Sequence, residues 1–325
     1  MIITRSPLRL TFGGGGTDLP SYYRKFGGEL IAGAIDKYVF LAIHRTFSRE
    51  FIIKYSQYER VVDVNTIRHP IIREVLRAKN IEPQLEIVSL ADVPDGTGLG
   101  SSGAFTVALL KAVSYYQGQP SYPHSLAEEA CSIEIDTLGE PVGKQDQYAS
   151  AFGGISRFVF HKDDSVEVQP LRISIQTLTL LEDNLLLFFT GFSRRAHKVL
   201  SEQKMRSDAS DKEMLANLHF TREISSASLK ALESGDLSEF AHLLDVHWEN
   251  KRRRSMGMSN ADIDRAYEIA KANGALGGKL VGAGGGGFLM FYTKQHEHLR
   301  AALSELAMSE IRFKFDFEGA KVLSI

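Results

Sequence analysis

The sequence predicts an α+β protein of about two domains. Three observations carry that prediction. The chain has 325 residues, and roughly 150 residues is a common domain size. Strand-like and helical patterns are mixed along its length. Glycine is clustered in three places, each after a strand-like run: 13–16, then Gly96, Gly98, Gly100 and Gly103, then Gly282 and Gly284–Gly287. Glycine so placed exposes backbone N–H groups and lets another group approach the chain closely. The second and third clusters put the expected division near residue 180, giving units 1–180 and 181–325.

The elements follow in order. Residues 2–12 read as a strand in which Leu8, Leu10 and Phe12 alternate with Arg9 and Thr11, so Arg9 leaves on the face opposite the apolar set. Residues 29–46 and 51–64 read as strands, 70–79 as a helix and 85–90 as a strand. Asp92–Gly103 is a loop, and the apolar run Ala104–Tyr116 suits a buried helix. Residues 124–138 are helical, with Ala127, Ala130, Cys131 and Leu138 on one face. Glu134 shares that apolar face. Residues 154–160, 166–181 and 185–191 read as strands. Residues 193–233 are helical with a break near 208–211, and Leu237–Lys251 is a helix. Ser259 and Asp262 have capping-box spacing, opening a helix that ends at Gly274. A glycine-rich loop within 278–293 feeds a strand at Phe288–Tyr292. His296–Ala307 is the last helix and 311–323 the last strand.

Composition excludes several function classes. Thirty-eight basic and 40 acidic residues leave a net charge of −2, against the basic excess of nucleic-acid and membrane-surface proteins. The single cysteine, Cys131, permits no intrachain disulfide and no paired-cysteine zinc site. It points to a reducing, cytoplasmic compartment. The N-terminus lacks the apolar core of a signal peptide. The longest apolar runs fall far short of the ~20 residues of a membrane span. No nucleic-acid or membrane partner is expected, and the sequence leaves the oligomeric state open.

Gly98-Leu99-Gly100-Ser101-Ser102-Gly103 satisfies G-x-G-x-x-G literally. A dinucleotide fold would need a tight strand-to-helix turn and an acidic residue about 20 positions on. Pro94, Asp95 and Gly96 stretch the connection, and no acid stands in that region. A Walker A loop fails as well, since Leu280 follows Lys279. What remains is a Gly/Ser loop at a helix N-terminus, where free N–H groups and the helix dipole favour an anion. A helix cap needs one Ser, so phosphate is preferred over a packing contact.

The segment from Asp92 to Gly103 resembles the central P-x-x-x-G-L-G-S-S motif of the GHMP kinases. Pro7–Phe12 through Gly16-Thr17-Asp18 is similar to their first motif, and Lys279–Gly287 to their third. The three come in family order. Within the family, Gly13–Gly16, Gln145-Asp146-Gln147-Tyr148 and Gly277-Gly278-Lys279 look most like heptose 7-phosphate kinases.

The resemblance implies a two-domain fold with the active site in the interdomain cleft. It implies ATP- and Mg2+-dependent phosphorylation of a small-molecule sugar, with the anomeric hydroxyl of D-glycero-D-manno-heptose 7-phosphate as the leading acceptor. Rivals are another sugar 1-kinase, acting on fucose or galactose, and a non-catalytic sugar and ATP sensor. Pro94, Gly96, Gly98, Leu99, Gly100, Ser101, Ser102 and Gly103 would hold ATP. Ser102 and Glu134 would hold Mg2+, which takes few protein oxygens; a salt bridge is the other reading of Glu134. Asp146 would face the acceptor hydroxyl as base or orienter, although an arbitrary Asp there would be a turn or cap residue. Arg9 would favour the ionised catalytic Asp and neutralise charge, or else be an ordinary surface Arg. Gly14, Gly15, Gly16, Thr17, Asp18, Gly284 and Gly285 would meet the substrate, with Asp18 accepting from sugar hydroxyls. Galactokinases usually carry Glu-His where Gly15-Gly16 stands, which speaks against galactose.

Basic residues at a helix start oppose the macrodipole unless an anion is present. Arg194, Arg195 and Lys198 are so placed and are candidate clamps for a substrate phosphate. Lys251–Arg254 lies at a helix end, where positive charge is favourable without a ligand, and reads as solvated. His247 reads as bland and Trp248 as core.

Overall fold

The structure is a computed structural model that describes residues 1–191, 197–255 and 257–324; the side chains of 197, 198 and 324 also fall outside it. The chain runs β1 (Ile2–Gly13), α1 (Pro20–Phe26), β2 (Gly28–Arg45), β3 (Phe51–Lys54), β4 (Tyr58–Val61), α2 (Pro70–Ala78) and β5 (Leu85–Ala91). It continues through α3 (Ser101–Tyr116), α4 (Pro123–Cys131), α5 (Gln145–Phe152), β6 (Ile155–Phe160), β7 (Val166–Pro170), α6 (Ile175–Asn184) and β8 (Leu185–Phe189). Then come α7 (His197–Asp208), α8 (Lys212–Ser234), α9 (Leu237–Arg252), α10 (Ala261–Ala272), β9 (Ala275–Leu280), β10 (Phe288–Thr293), α11 (His296–Ser304), β11 (Ser309–Ile311) and β12 (Lys321–Ser324).

Among the described residues these strands form two sheets. The first has the order β12-β1-β2-β5-β3-β4, with β6 and β7 branching from β2. Strand β2 is long enough to serve two partners along one edge: residues 28–33 pair with β6 and 39–45 with β5. The second sheet is antiparallel, β11-β8-β10-β9. The period of two in β8 divides its side chains between two cores. Leu185 and Leu187 join the main core with Leu8, Phe12, Phe240, Phe288 and Met290, so that core is continuous with the first sheet. Leu186 and Phe188 face a second core with Trp248, Tyr267 and Phe291. Trp248 is thus a core residue, as its isolation in the sequence suggests.

Several expected elements take a different form. Residues 51–64 make the hairpin β3–β4 instead of one strand. The span expected as one strand over 166–181 splits into β7 and helix α6. Ser174 decides the matter by capping, its hydroxyl accepting from Thr177 N at 3.0 Å. Helices α1 and α5 lie in segments with no helical expectation. Asn260, not Ser259, caps α10, its side chain accepting from Ile263 N at 3.0 Å, while Ser259 bonds Asp264. The last predicted strand is two, β11 and β12, in different sheets.

Candidate active site

The central glycine loop joins β5 to α3. Thr97 Oγ1 donates to Pro94 O at 2.9 Å, which folds the loop on itself. Leu99 is fully buried and anchors it. Gly96, Gly98 and Gly100 all have positive φ, and Gly100 is the left-handed N-cap of α3 with no side chain capping the helix. The first N–H groups of α3, from Ser101 to Gly103, therefore lack the usual side-chain acceptor, an arrangement that suits an anion. Neighbours press closely on this loop. A Cβ at Gly98 would come 2.6 Å from Val281 O, and one at Gly103 would come 2.6 Å from Asp146 Cβ. So the central loop touches the third glycine segment on one side and Asp146 on the other.

Arg9 sits mid-strand in β1 and is 5 % exposed, not a surface residue. Its backbone N–H donates to Leu99 O at 2.9 Å. Its guanidinium reaches Asp146 Oδ1 through Nε at 2.8 Å and Nη2 at 2.7 Å, and Nη1 donates to Gly98 O. Arg9 thus ties the central glycine loop to Asp146. Asp146 occupies the first turn of α5, but its carboxylate turns toward Arg9 and caps nothing. Gln145 Nε2 adds a third bond to the same Oδ1 at 3.0 Å, and Gln145 is itself held by Thr11 Oγ1 at 3.0 Å. Among the described residues every side-chain bond to Asp146 goes to Oδ1; Oδ2 points at the loop, 3.2 Å from where a Gly100 Cβ would stand.

Glu134 follows α4 in a turn of π-helix, residues Ser132–Thr137. Such turns widen a helix by one residue and are frequent at functional sites. The carboxylate is 1 % exposed and has no cationic partner in the described residues. It accepts instead from Ser102 Oγ at 2.6 Å and Gln147 Nε2 at 3.0 Å. Burial pushes its pKa up, and those hydrogen bonds partly oppose the rise. The expected alternative, a salt bridge, is not what holds it. Gln147 Oε1 is buried with no partner in the described residues.

The first glycine loop is closed by Thr17, whose N–H and hydroxyl both donate to Gly14 O at 3.1 and 2.8 Å. Asp18 Oδ1 accepts from Gly16 N at 3.0 Å and Oδ2 from Gln145 N at 3.2 Å, which puts Asp18 next to Asp146. Burial and the Asp146 charge raise its pKa. Gly15 O accepts from Arg254 Nη1 at 3.2 Å and Gly16 O from Gln203 Nε2 at 3.2 Å. In the third segment, Gly285 N donates to Met258 O at 2.9 Å, and Gly284 has a φ of +116°. Arg194 and Arg195, and the side chain of Lys198, lie outside the described residues.

One sequence expectation is overturned here. Lys251 and Arg254 are not solvated: they are 5 % and 4 % exposed. Lys279 is 2 % exposed and bonds His247 Nδ1 at 3.0 Å. Helical periodicity shows only a basic helix end; the carbonyls that receive these cations come from loops far away in sequence.

Two family models match this chain: the GHMP kinases N terminal domain over residues 65–154 and the GHMP kinases C terminal domain over residues 228–309. A D-glycero-alpha-D-manno-heptose 7-phosphate kinase from Campylobacter jejuni is 30% identical over 98% of this chain and 98% of its own. The chain belongs to the GHMP kinase family. It is a kinase with a mixed α and β fold, as its three motifs imply. A crystal structure of a D-glycero-D-manno-heptose 1-phosphate kinase from Bacteroides thetaiotaomicron superposes with a TM-score of 0.82 at 27% identity, covering 100% of this chain and 99% of that one. A bifunctional fucokinase/GDP-fucose pyrophosphorylase from Arabidopsis thaliana is 29% identical over 70% of this chain but only 22% of its own. No helix among the described residues is long and apolar enough to cross a membrane.

Proposed function

We propose that this GHMP kinase transfers the γ-phosphoryl group of ATP to the anomeric hydroxyl of D-glycero-D-manno-heptose 7-phosphate, giving the 1,7-bisphosphate. The observation that carries the reading is the arrangement at Asp146. Arg9 and Gln145 hold Oδ1, which leaves Oδ2 to accept from a sugar hydroxyl beside the phosphate loop. In a loose phosphoryl-transfer transition state, orienting that hydroxyl matters as much as taking its proton. Arg9 supplies positive charge between the acid and the loop. The α3 N–H groups and Ser101 bind phosphate oxygens. Asp18 and the Gly14–Thr17 loop orient the sugar, with Gly284 and Gly285 along its other side.

Ser102 and Glu134 present two hard oxygens, and the orphaned Gln147 Oε1 is a third acceptor beside them. That donor set fits Mg2+, which keeps waters and substrate phosphates for its remaining positions. When bound, Mg2+ neutralises charge building on the phosphates. Arg194, Arg195 and Lys198 remain the proposed holders of the sugar's own phosphate. Similarity to a heptose 7-phosphate kinase over 98% of both chains supports this acceptor over fucose, since two fucokinase relatives are matched over only 22% and 36% of their own length. The reading also takes the enzyme as cytoplasmic.

The test is ADP release measured with heptose 7-phosphate, unphosphorylated heptose, fucose, galactose and mannose. Heptose 7-phosphate should have the highest kcat/KM. Preference for an unphosphorylated sugar would remove the acceptor assignment, and no turnover with any of them would favour a sensor.

A further inference from the structure

The end of helix α9 carries two buried cations that hydrogen-bond no carboxylate among the described residues, although the Asp18 carboxylate lies close enough to act on the Arg254 charge. Lys251 Nζ donates to Leu280 O at 3.0 Å and to Gly282 O. Arg254, two residues past the helix, donates through Nη1 to Gly15 O, through Nη2 to Thr221 Oγ1 at 2.9 Å and through Nε to Asn217 Oδ1 at 2.8 Å. All of these acceptors are neutral. Burying a charge on neutral acceptors is costly, and a carboxylate would have lowered that cost. The fold accepts it at two positions three residues apart.

The carbonyls they hold belong to different glycine loops. Gly282 has a φ of +78°, and a Cβ there would stand 2.4 Å from Gly98 Cα, so fixing its carbonyl fixes the third segment against the central loop. Gly15 precedes Gly16, whose φ is +100° and whose N–H binds Asp18. Gln203 secures the next carbonyl and also accepts from Arg254 Nη1 at 3.3 Å. One helix end thereby grips the backbone on both sides of the reaction centre.

We propose that Lys251 and Arg254 are positioning residues for phosphoryl transfer. Lys251 registers the third glycine segment against the central phosphate loop, and Arg254 registers the first loop and, through it, Asp18. Neither needs to touch a substrate. Lys279 and His247 lie in the same cluster; Asp18 lends Arg254 some counter-charge, and the phosphates of bound ligands supply more. The proposal rests on the central loop serving ATP and the first loop serving the sugar.

That division of labour makes the test specific. Lys251→Met and Arg254→Lys are compared with wild type for equilibrium binding of a non-hydrolysable ATP analogue, KM for the preferred sugar, and ligand-free melting temperature. Losing a charge-assisted bond costs about tenfold or more in the affected constant. Lys251→Met should weaken analogue binding by about that factor and change the sugar KM by less than about threefold. Arg254→Lys should do the reverse. Lys251→Gln keeps one donor and should recover part of the analogue binding. If Arg254→Lys does not fold, Gln203→Met, which frees the Gly16 carbonyl and removes one acceptor of Arg254 Nη1 while leaving the guanidinium in place, should reproduce the sugar-side loss. Equal losses on both ligands, or lower melting with both constants unchanged, would overturn the proposal and leave these residues as scaffold. A wild-type protein that binds no analogue would instead remove the underlying loop assignment.

Discussion

The two halves of the active-site region treat charge in opposite ways. Around β1 and α5, cation and anion are paired: Arg9 lies 2.7 Å from Asp146. At the end of α9, Lys251, Arg254 and Lys279 are gathered with no carboxylate among their hydrogen-bond partners in the described residues. The first arrangement is complete by itself and aims a carboxylate oxygen. The second holds its cations on neutral acceptors. In the proposed reading, pairing serves geometry at the reacting atoms, whereas the positive charge at the end of α9 serves polyanion binding and loop registration.

The largest expected effect breaks the paired side. Asp146→Asn keeps shape but weakens the acceptor, and kcat should fall by about 10²–10⁴. Binding of an ATP analogue should survive. A mutant with a tenth of wild-type kcat would take Asp146 out of the chemistry.

Next comes the sugar's own phosphate. Arg194→Gln, Arg195→Gln and Lys198→Gln are predicted to raise KM for heptose 7-phosphate by about ten- to over a hundred-fold for whichever residue makes the contact. KM for the sugar lacking that phosphate should hardly move, since a distal phosphate is bound alike in ground and transition states. Steady-state kinetics on both sugars decides it; equal losses would assign these side chains to the γ-phosphate or to the fold.

Glu134→Gln should raise the Mg2+ concentration needed for half-maximal rate and lower kcat, with a smaller change in ligand-free melting. A large melting drop with unchanged Mg2+ dependence would show Glu134 to be structural instead.

The smallest effect sharpens the unpaired side. Burial, with Arg254 and Arg9 nearby, brings the Lys251 pKa down from 10.5 to about 7. The unfolded chain then binds more protons than the folded one between those values, so this residue makes ligand-free stability rise with pH from about 7 to 10.5. Chemical denaturation of Lys251→Met across that range should give a flatter curve than wild type. Parallel curves would mean that Lys251 keeps its proton throughout.

Legibility from the sequence divided along physical lines. The Gly98–Gly103 loop stood out by its glycine spacing, whereas Arg9, Glu134 and Asp146 stood out only through the motifs they share with the family, because locally they read equally as a surface Arg, a salt-bridged acid and a turn Asp. Strand β9 was hidden by its glycines, which resemble a loop. Its Gly277 is there because a Cβ would stand 1.8 Å from Ala241 O of α9, and Gly278 because Phe291 fills its place. Helix α6 was hidden by Ile175, Thr177, Leu178 and Thr179, which suit a strand as well as a helix. The burial of Lys251 and Arg254 was hidden because it depends on carbonyls at 280, 282 and 15, which no local pattern links to α9.

Strand β12 has a consequence for how the molecule is made. It pairs with β1, with Ile3 opposite Ser324, and β1 in turn carries Arg9. During synthesis β1 leaves the ribosome long before β12 exists, so one of its edges stays open while everything between is translated. An open edge invites pairing with other chains, and contacts so distant in sequence form slowly. The strand that carries Arg9 is therefore made well before the strand that covers one of its edges.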